Sequence, residues 1–126
     1  MDMKKFRIGQ EAVIEIPVTV ELTINRMGRE GADVLSTPSL LMVMERACIR
    51  ASESYLDEDF TTVGYAVDDL RHMAATLIGA KSRAKAKLIE IDMERGRLTY
   101  TIEVYEGEKI IGRATHKRAV ISTIGS

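Results

Sequence analysis

The chain has no tryptophan, one cysteine, two prolines, two histidines and only 5% aromatic residues in 126 positions. Cys48 has no second thiol to close an internal disulfide. Two histidines without a C-x-x-C or H-x-x-x-H spacing suggest no metal site. Charge of one sign is lacking as well: 18 Lys+Arg against 19 Asp+Glu leave a net charge of -1, with no basic field to hold nucleic acid or an anionic membrane. The longest uncharged apolar-rich run, residues 38–44, is far below the roughly 18 residues a bilayer span needs, and no basic segment leads into a cleavable apolar one. These absences predict a cytoplasmic protein with neither nucleic acid nor membrane as partner. Neither G-x-G-x-x-G nor G-x-x-x-x-G-K-[ST] occurs, so no nucleotide cofactor is expected.

What is present suits a folded chain. With 45% hydrophobic and 29% charged residues, residues 1–126 read as a single domain. Over 13–24 the sequence alternates, Ile14, Ile16, Val18, Val20, Leu22 and Ile24 against Glu15, Pro17, Thr19, Glu21 and Thr23, which predicts one strand with a buried face. Pro17 removes a ladder donor, so that strand is expected to lie at a sheet edge or to turn this N–H position outward. Gly28 and Gly31 mark a loop over 25–33.

Thr37-Pro38 reads as a helix start, threonine as cap and proline in the first turn, with the helix running to about Leu56. At 100° per residue Leu40, Leu41, Val43, Met44, Ala47, Cys48, Ala51 and Tyr55 fill one arc, opposite Arg46, Arg50 and Glu53. Strand patterns follow over 62–73, 80–93, 98–104 and 109–123. Turns are expected at 94–96 and 106–108, and a bulge where the alternation slips between Leu88 and Ile89. The order predicts an α+β fold, one amphipathic helix on a curled antiparallel sheet of about five strands.

Glu45 lies at the edge of the apolar arc. Its i±3 and i±4 neighbours are Leu41, Met42, Cys48 and Ile49, so its helix offers no cation. Either a distant Lys or Arg pairs with it, or it is a functional carboxylate. His72 follows Asp68, Asp69 and Arg71 at a strand end; in an extended chain it shares a face with Asp68 and Leu70. It is either a half-exposed histidine beside acids or a proton-transfer group. His116 sits mid-strand on the face of Gly112, Ala114 and Arg118, where pairing across the sheet would also account for it. Ser36 and Thr37 place hydroxyls at a helix N-terminus, suited to capping or to receiving a carbonyl's developing charge. Cys48, inside the arc, reads as a core residue.

Several segments together resemble the hotdog-fold thioesterases of the fluoroacetyl-CoA thioesterase-like family: Val34-Leu35-Ser36-Thr37-Pro38, Glu45 to Ala51, Thr62-Val63-Gly64, Arg71 to Thr76, and Gly112 to Ile121. The resemblance implies a homodimer, with a tetramer as the alternative, in which helices are wrapped by a continuous sheet and acyl-CoA sites lie at the subunit boundary. It implies hydrolysis of a short-chain acyl-CoA without a metal or cofactor, coenzyme A entering only as part of the substrate. Thr37, Glu45 and His72 fall on the family's catalytic positions, and Ser36, Gly64, His116 and Arg118 on the substrate-binding side. Glu45 would activate water or attack the carbonyl itself. Arg118 would keep Glu45 ionised or attract a CoA phosphate.

Two departures stand out. Gly64 to His72 is one residue longer than the family spacing, so either a bulge absorbs the extra residue or His72 points elsewhere. The aromatic lid of the fluoroacetyl-specific enzyme has no match in residues 28–33, which favours a general short-chain acyl group. A non-catalytic acyl-CoA binding module, and an enoyl-CoA hydratase using Asp68 and His72, are the alternative readings.

Overall fold

The computed structural model describes residues 3–25 and 28–124. In chain order it contains β1 (Glu11–Pro17), a 3-10 turn (Val20–Leu22), β2 (Thr23–Ile24), β3 (Val34–Leu35), α1 (Thr37–Glu53), β4 (Phe60–His72), β5 (Lys81–Asp92), β6 (Arg97–Glu106) and β7 (Lys109–Ser122). Five strands form one antiparallel sheet in the order β1-β5-β6-β7-β4. The helix lies on one face, the α+β hotdog arrangement expected from the sequence.

The core is the meeting of two periodicities. Leu40, Val43, Met44, Ala47, Cys48 and Ala51 bury one stripe of α1, and Leu98, Tyr100, Ile102 and Val104 bury alternate positions of β6 beneath it. Each fully buried Leu, Ile or Val here contributes about 1.5–3 kcal/mol relative to exposure. The slip at Leu88 is a bulge: Leu88 pairs with Tyr100 and Glu90 with Thr99, leaving Ile89 over.

Three expectations need correction. The strand over 13–24 stops at Pro17, after which Val20–Leu22 make a 3-10 turn and Thr23–Ile24 pair with Val34–Leu35 in a separate two-stranded sheet. Hydrogen bonding runs one residue past Pro17, the Val18 amide donating to the Ala80 carbonyl at 2.8 Å, before the chain turns; of the alternating apolar residues that follow, Val18 is buried while Val20 and Ile24 are exposed. The helix ends at Glu53, short of Leu56, with Ser54 as its C-cap. Its N-cap is Ser36, whose Oγ accepts from the Ser39 amide at 3.2 Å; Thr37 is the first helical residue and its hydroxyl is released from capping.

The extra residue before His72 is absorbed as a bulge. Asp68 pairs with Thr115 and Arg71 with Arg113, so Asp69 and Leu70 together oppose one residue of β7. Asp69 takes the left-handed conformation this requires, with φ 53. His72 is thereby kept opposite Gly112. Without the bulge every residue beyond Asp68 would slip by one and His72 would turn to the outer face. The same geometry overturns the shared face of Asp68 and His72. Thr115 and Gly112 are three residues apart on regular β7, so their partners lie on opposite sides of the sheet.

Removing Asp69 altogether is expected to restore a regular ladder and leave the denaturation midpoint near that of the parent chain. Asp69→Val forces a β-branched residue into the left-handed region and should cost about 1–3 kcal/mol in denaturant titration. Equal stability of the valine variant and the parent would show that the bulge is not held by this backbone conformation.

Candidate active site

Two constellations line the space between helix and sheet. At the helix N-terminus, Thr37 Oγ1 and His72 Nδ1 are 2.8 Å apart. Their approach depends on Gly112, which stands opposite His72 in the ladder. A Cβ there would lie 2.7 Å from Leu40 Cδ2 and 3.2 Å from the Arg71 carbonyl, so its absence lets the first turn of α1 settle against the end of β4. The other ring nitrogen, His72 Nε2, is buried and has no hydrogen-bond partner among the described residues. Burial pushes the His72 pKa below the ordinary histidine value, favouring the neutral ring that can take up a proton. An open cleft of about 410 Å³ adjoins the pair, with aliphatic walls from Val34, Leu35, Met73, Ala74 and Ala75.

The second constellation centres on Arg118, 3% exposed. Its Nε donates to Thr62 Oγ1 at 2.8 Å, its Nη2 to the Thr62 carbonyl at 2.9 Å, and its Nη1 to His116 Nε2 at 3.0 Å. Nη1 also lies 3.8 Å from Glu45 Oε2, the distant cation that the helix itself does not supply. Glu45 is half-exposed and also has His116 Nε2 at 4.0 Å. Ser52 Oγ closes the network on Thr62 Oγ1 at 3.0 Å. With its donors turned inward, Arg118 is placed to hold Glu45 and not to reach a phosphate outside.

No hydrogen bond or ion pair among the described residues joins the two constellations. Thr37 and Glu45 are two helical turns apart, about 12 Å at the usual rise. Gly112, opposite His72, and Arg118 are separated by six strand positions, roughly 20 Å. Within one chain the structure therefore brings together Thr37 with His72, and Glu45 with Arg118, His116 and Gly64, as two separate groups.

The remaining candidates have structural work. Ser36 caps α1 and shares a hydrogen bond with Ser39 Oγ at 2.8 Å. Asp68 is on the outer face, 4.0 Å from Lys117 Nζ, which leaves the proposed Asp68–His72 acid–base pair without a common face. Burial pushes the Cys48 thiol up to about 12, so it is inert as a nucleophile. Among the described residues no three His, Cys, Asp or Glu side chains cluster as metal ligands. A second cleft, of about 450 Å³, opens around Arg71, Glu103 and Arg113 on the outer face, away from both constellations.

Sequence reasoning passed over Thr62 and Ser52, whose roles exist only through the ladder that sets Gly64 opposite Arg118. Two threonines and an alternating run give no local signal that one hydroxyl will hold a guanidinium.

The family profile described as fluoroacetyl-CoA-specific thioesterase matches residues 18–123. The fluoroacetyl-CoA thioesterase of Streptantibioticus cattleyicolor is 30% identical over 121 residues, covering 91% of this chain and 85% of that protein. Among solved structures, a mutant of the fluoroacetyl-CoA-specific thioesterase in complex with fluoroacetate and CoA superposes with a TM-score of 0.81 at 28% identity, over 94% of this chain and 98% of the other. A thioesterase superfamily member from Thermus thermophilus gives a TM-score of 0.83 at 26% identity, over 97% and 88%. Sequence and wrapped-helix architecture agree over nearly the whole length, and the chain belongs to the fluoroacetyl-CoA-specific thioesterase family.

Proposed function

We propose that this chain is a cytoplasmic homodimeric thioesterase that hydrolyses short-chain acyl-CoA to the free acid and coenzyme A. The observation that carries the reading is the buried, unpartnered His72 Nε2. Its ring is already engaged at Nδ1 by Thr37, and the carboxylate that would complete the set, Glu45, lies beside Arg118 in the second constellation.

A second copy supplies the missing contact. β4 is an edge strand of thirteen residues that exposes Val63, Tyr65 and Val67. An edge of this length and apolarity invites pairing. Antiparallel pairing of β4 with β4 of a partner about a two-fold axis places the Thr62–Gly64 end of one strand across from the His72 end of the other. Each boundary then holds Glu45, Gly64 and Arg118 of one subunit against Thr37 and His72 of its partner.

Hydrolysis of a thioester needs an activated oxygen nucleophile, a polarised carbonyl and a proton for the leaving thiolate. Glu45 acts on water as general base, His72 with its low pKa carries the proton, and Thr37 orients the ring. Backbone N–H groups at the start of α1 receive the oxyanion. The reaction balances as water plus thioester giving carboxylic acid and thiol, so nothing beyond these groups is required. The aliphatic cleft walls and the lack of an aromatic residue in 28–33 support a short alkyl acyl group over a fluorinated one.

Purified protein incubated with acetyl-, propionyl-, butyryl- and long-chain acyl-CoA is expected to release free thiol fastest with the short-chain members, followed with a thiol-reactive chromophore. No thiol above the buffer rate would overturn the proposal. Saturable calorimetric binding without release would instead identify a non-catalytic acyl-CoA binding module.

A further inference from the structure

His116 is 2% exposed on the helix-facing side of β7, in register with Tyr100 of β6 and Val67 of β4. Each ring nitrogen meets a group with one available role. The Ala66 carbonyl, 2.9 Å from Nδ1, can only accept; the Arg118 guanidinium, 3.0 Å from Nε2, can only donate. Both contacts select the same form, a neutral ring protonated at Nδ1 with a bare lone pair at Nε2. Thr62 fixes Arg118 at two other points. One Nη1 hydrogen therefore goes to His116, and the other is free to face Glu45.

Gly64 makes room for this arrangement. A Cβ at that position would stand 2.7 Å from His116 Cε1, 3.0 Å from its Nε2 and 3.1 Å from Arg118 Nη1. The ring and the guanidinium occupy the space a side chain would take. Any larger residue must push the two apart or displace β4.

We propose that His116, seated against Gly64, is a positioning residue for hydrolysis: its neutral ring steers Arg118 onto Glu45, and a proton taken up at Nε2 releases Glu45 from that pose. The proposal rests on Glu45 being the general base of the thioesterase reading above. In the protonated ring, Nε2–H would face a guanidinium N–H at 3.0 Å, donor against donor and cation against cation. Glu45 Oε2, 4.0 Å from Nε2, would become the nearest acceptor and be drawn away from Arg118.

The groups facing His116 bear unequally on that proton. β7 presents Arg118, α1 presents Glu45 with Cys48 close behind, β6 presents Tyr100, and β4 presents the backbone of Gly64 and Ala66. Burial foremost, then Arg118, hold the ring below the ordinary histidine value; the Ala66 carbonyl and Glu45 oppose them. The clamp is consequently engaged at neutral pH and opens in acid.

Steady-state kinetics against pH test this with three variants. His116→Leu is expected to lower kcat by about 10–100-fold with little change in KM, the pattern of a lost transition-state contact. Gly64→Ala should behave likewise. His116→Gln offers a non-titrating amide oxygen to Arg118; it should keep kcat within about threefold and carry its activity to lower pH than the parent. Equal activity of the leucine and glutamine variants, or an acid limb unchanged in His116→Gln, would overturn the proposal.

If the leucine variant does not fold, ring ¹⁵N shifts of the unmodified protein decide between the outcomes. The Nδ1–H tautomer near pH 7, with the Glu45 carboxyl resonance moving as His116 titrates, supports the clamp. An Nε2–H tautomer, or a Glu45 signal indifferent to that titration, refutes it. Because this readout needs no turnover, a protein that hydrolyses nothing would remove the thioesterase reading while still reporting on the clamp.

Discussion

Glu45→Gln lowers kcat/KM for acyl-CoA hydrolysis by about 10²–10⁴, the usual worth of a positioned general base, and leaves the chain folded. Glutamine keeps the length and the oxygen that faces Arg118 but cannot accept a proton at neutral pH. The structural cost should be small. Glu45 is half-exposed, its ion pair with Arg118 spans 3.8 Å, and Arg118 retains three other hydrogen bonds. Partly exposed pairs of this kind typically contribute about 0–1 kcal/mol. Rates from thiol release, read beside a thermal melt, separate chemistry from folding. Near-parental turnover in a folded Glu45→Gln protein would mean that another group activates the nucleophile.

Mixing two inactive variants should restore activity. Glu45→Gln damages one half of each composite boundary and His72→Ala the other. In a heterodimer of the two, both defects fall at one boundary and the second boundary is intact. Random reassortment makes half the dimers heterodimers with one working boundary of two, so recovery should approach about a quarter of the parental rate. The two proteins are unfolded together, refolded and assayed, with each refolded alone as control. Failure to recover, with mixed dimers verified by differential tagging, would place Glu45 and His72 in the same subunit's chemistry and sink the shared-boundary arrangement. The expectation follows from the roughly 12 Å of helix between Thr37 and Glu45, which a single chain gives no means to shorten.

The parts of this molecule that could be read from its sequence are those where local periodicity and burial coincide. The stripe of α1 was legible because Leu40, Val43, Ala47 and Ala51 repeat at the helical spacing and all meet the sheet. β6 was legible because a regular ladder keeps Leu98, Tyr100, Ile102 and Val104 on one side. Glu45 betrayed its need for a distant cation by having none at i±3 or i±4, and Arg118 supplies it from β7. The failures arise where the backbone departs from a regular repeat. Side-chain alternation past Pro17 hid a turn, and the phase count from Asp68 to His72 assumed straight strand where Asp69 inserts a left-handed residue. The bulge was foreseeable from chain length between Gly64 and His72, yet the register shift beside Tyr65 left no trace in hydrophobic pattern. His116 is the instructive intermediate: pairing across the sheet was expected, but its hold on Arg118 depends on a carbonyl fifty residues away.

The two borders of the sheet are unlike. β1 ends in Pro17, which offers no amide hydrogen, and its flank carries Glu11 and Glu15 tied to Lys85 at 3.2 Å and Lys81 at 3.7 Å. Charge and proline of this sort discourage strand addition. β4 on the far border has a single ion pair, Asp68 with Lys117 at 4.0 Å, and two bulges, but no proline, and it leaves Val63, Tyr65 and Val67 exposed. A chain with one guarded and one open border has nothing to hand on once two copies have met through the open one, because each consumes the same patch of the other. Under the proposed pairing through β4, growth would stop at a closed pair, and the ribbon of sheet so formed would be finite instead of extending into a fibre.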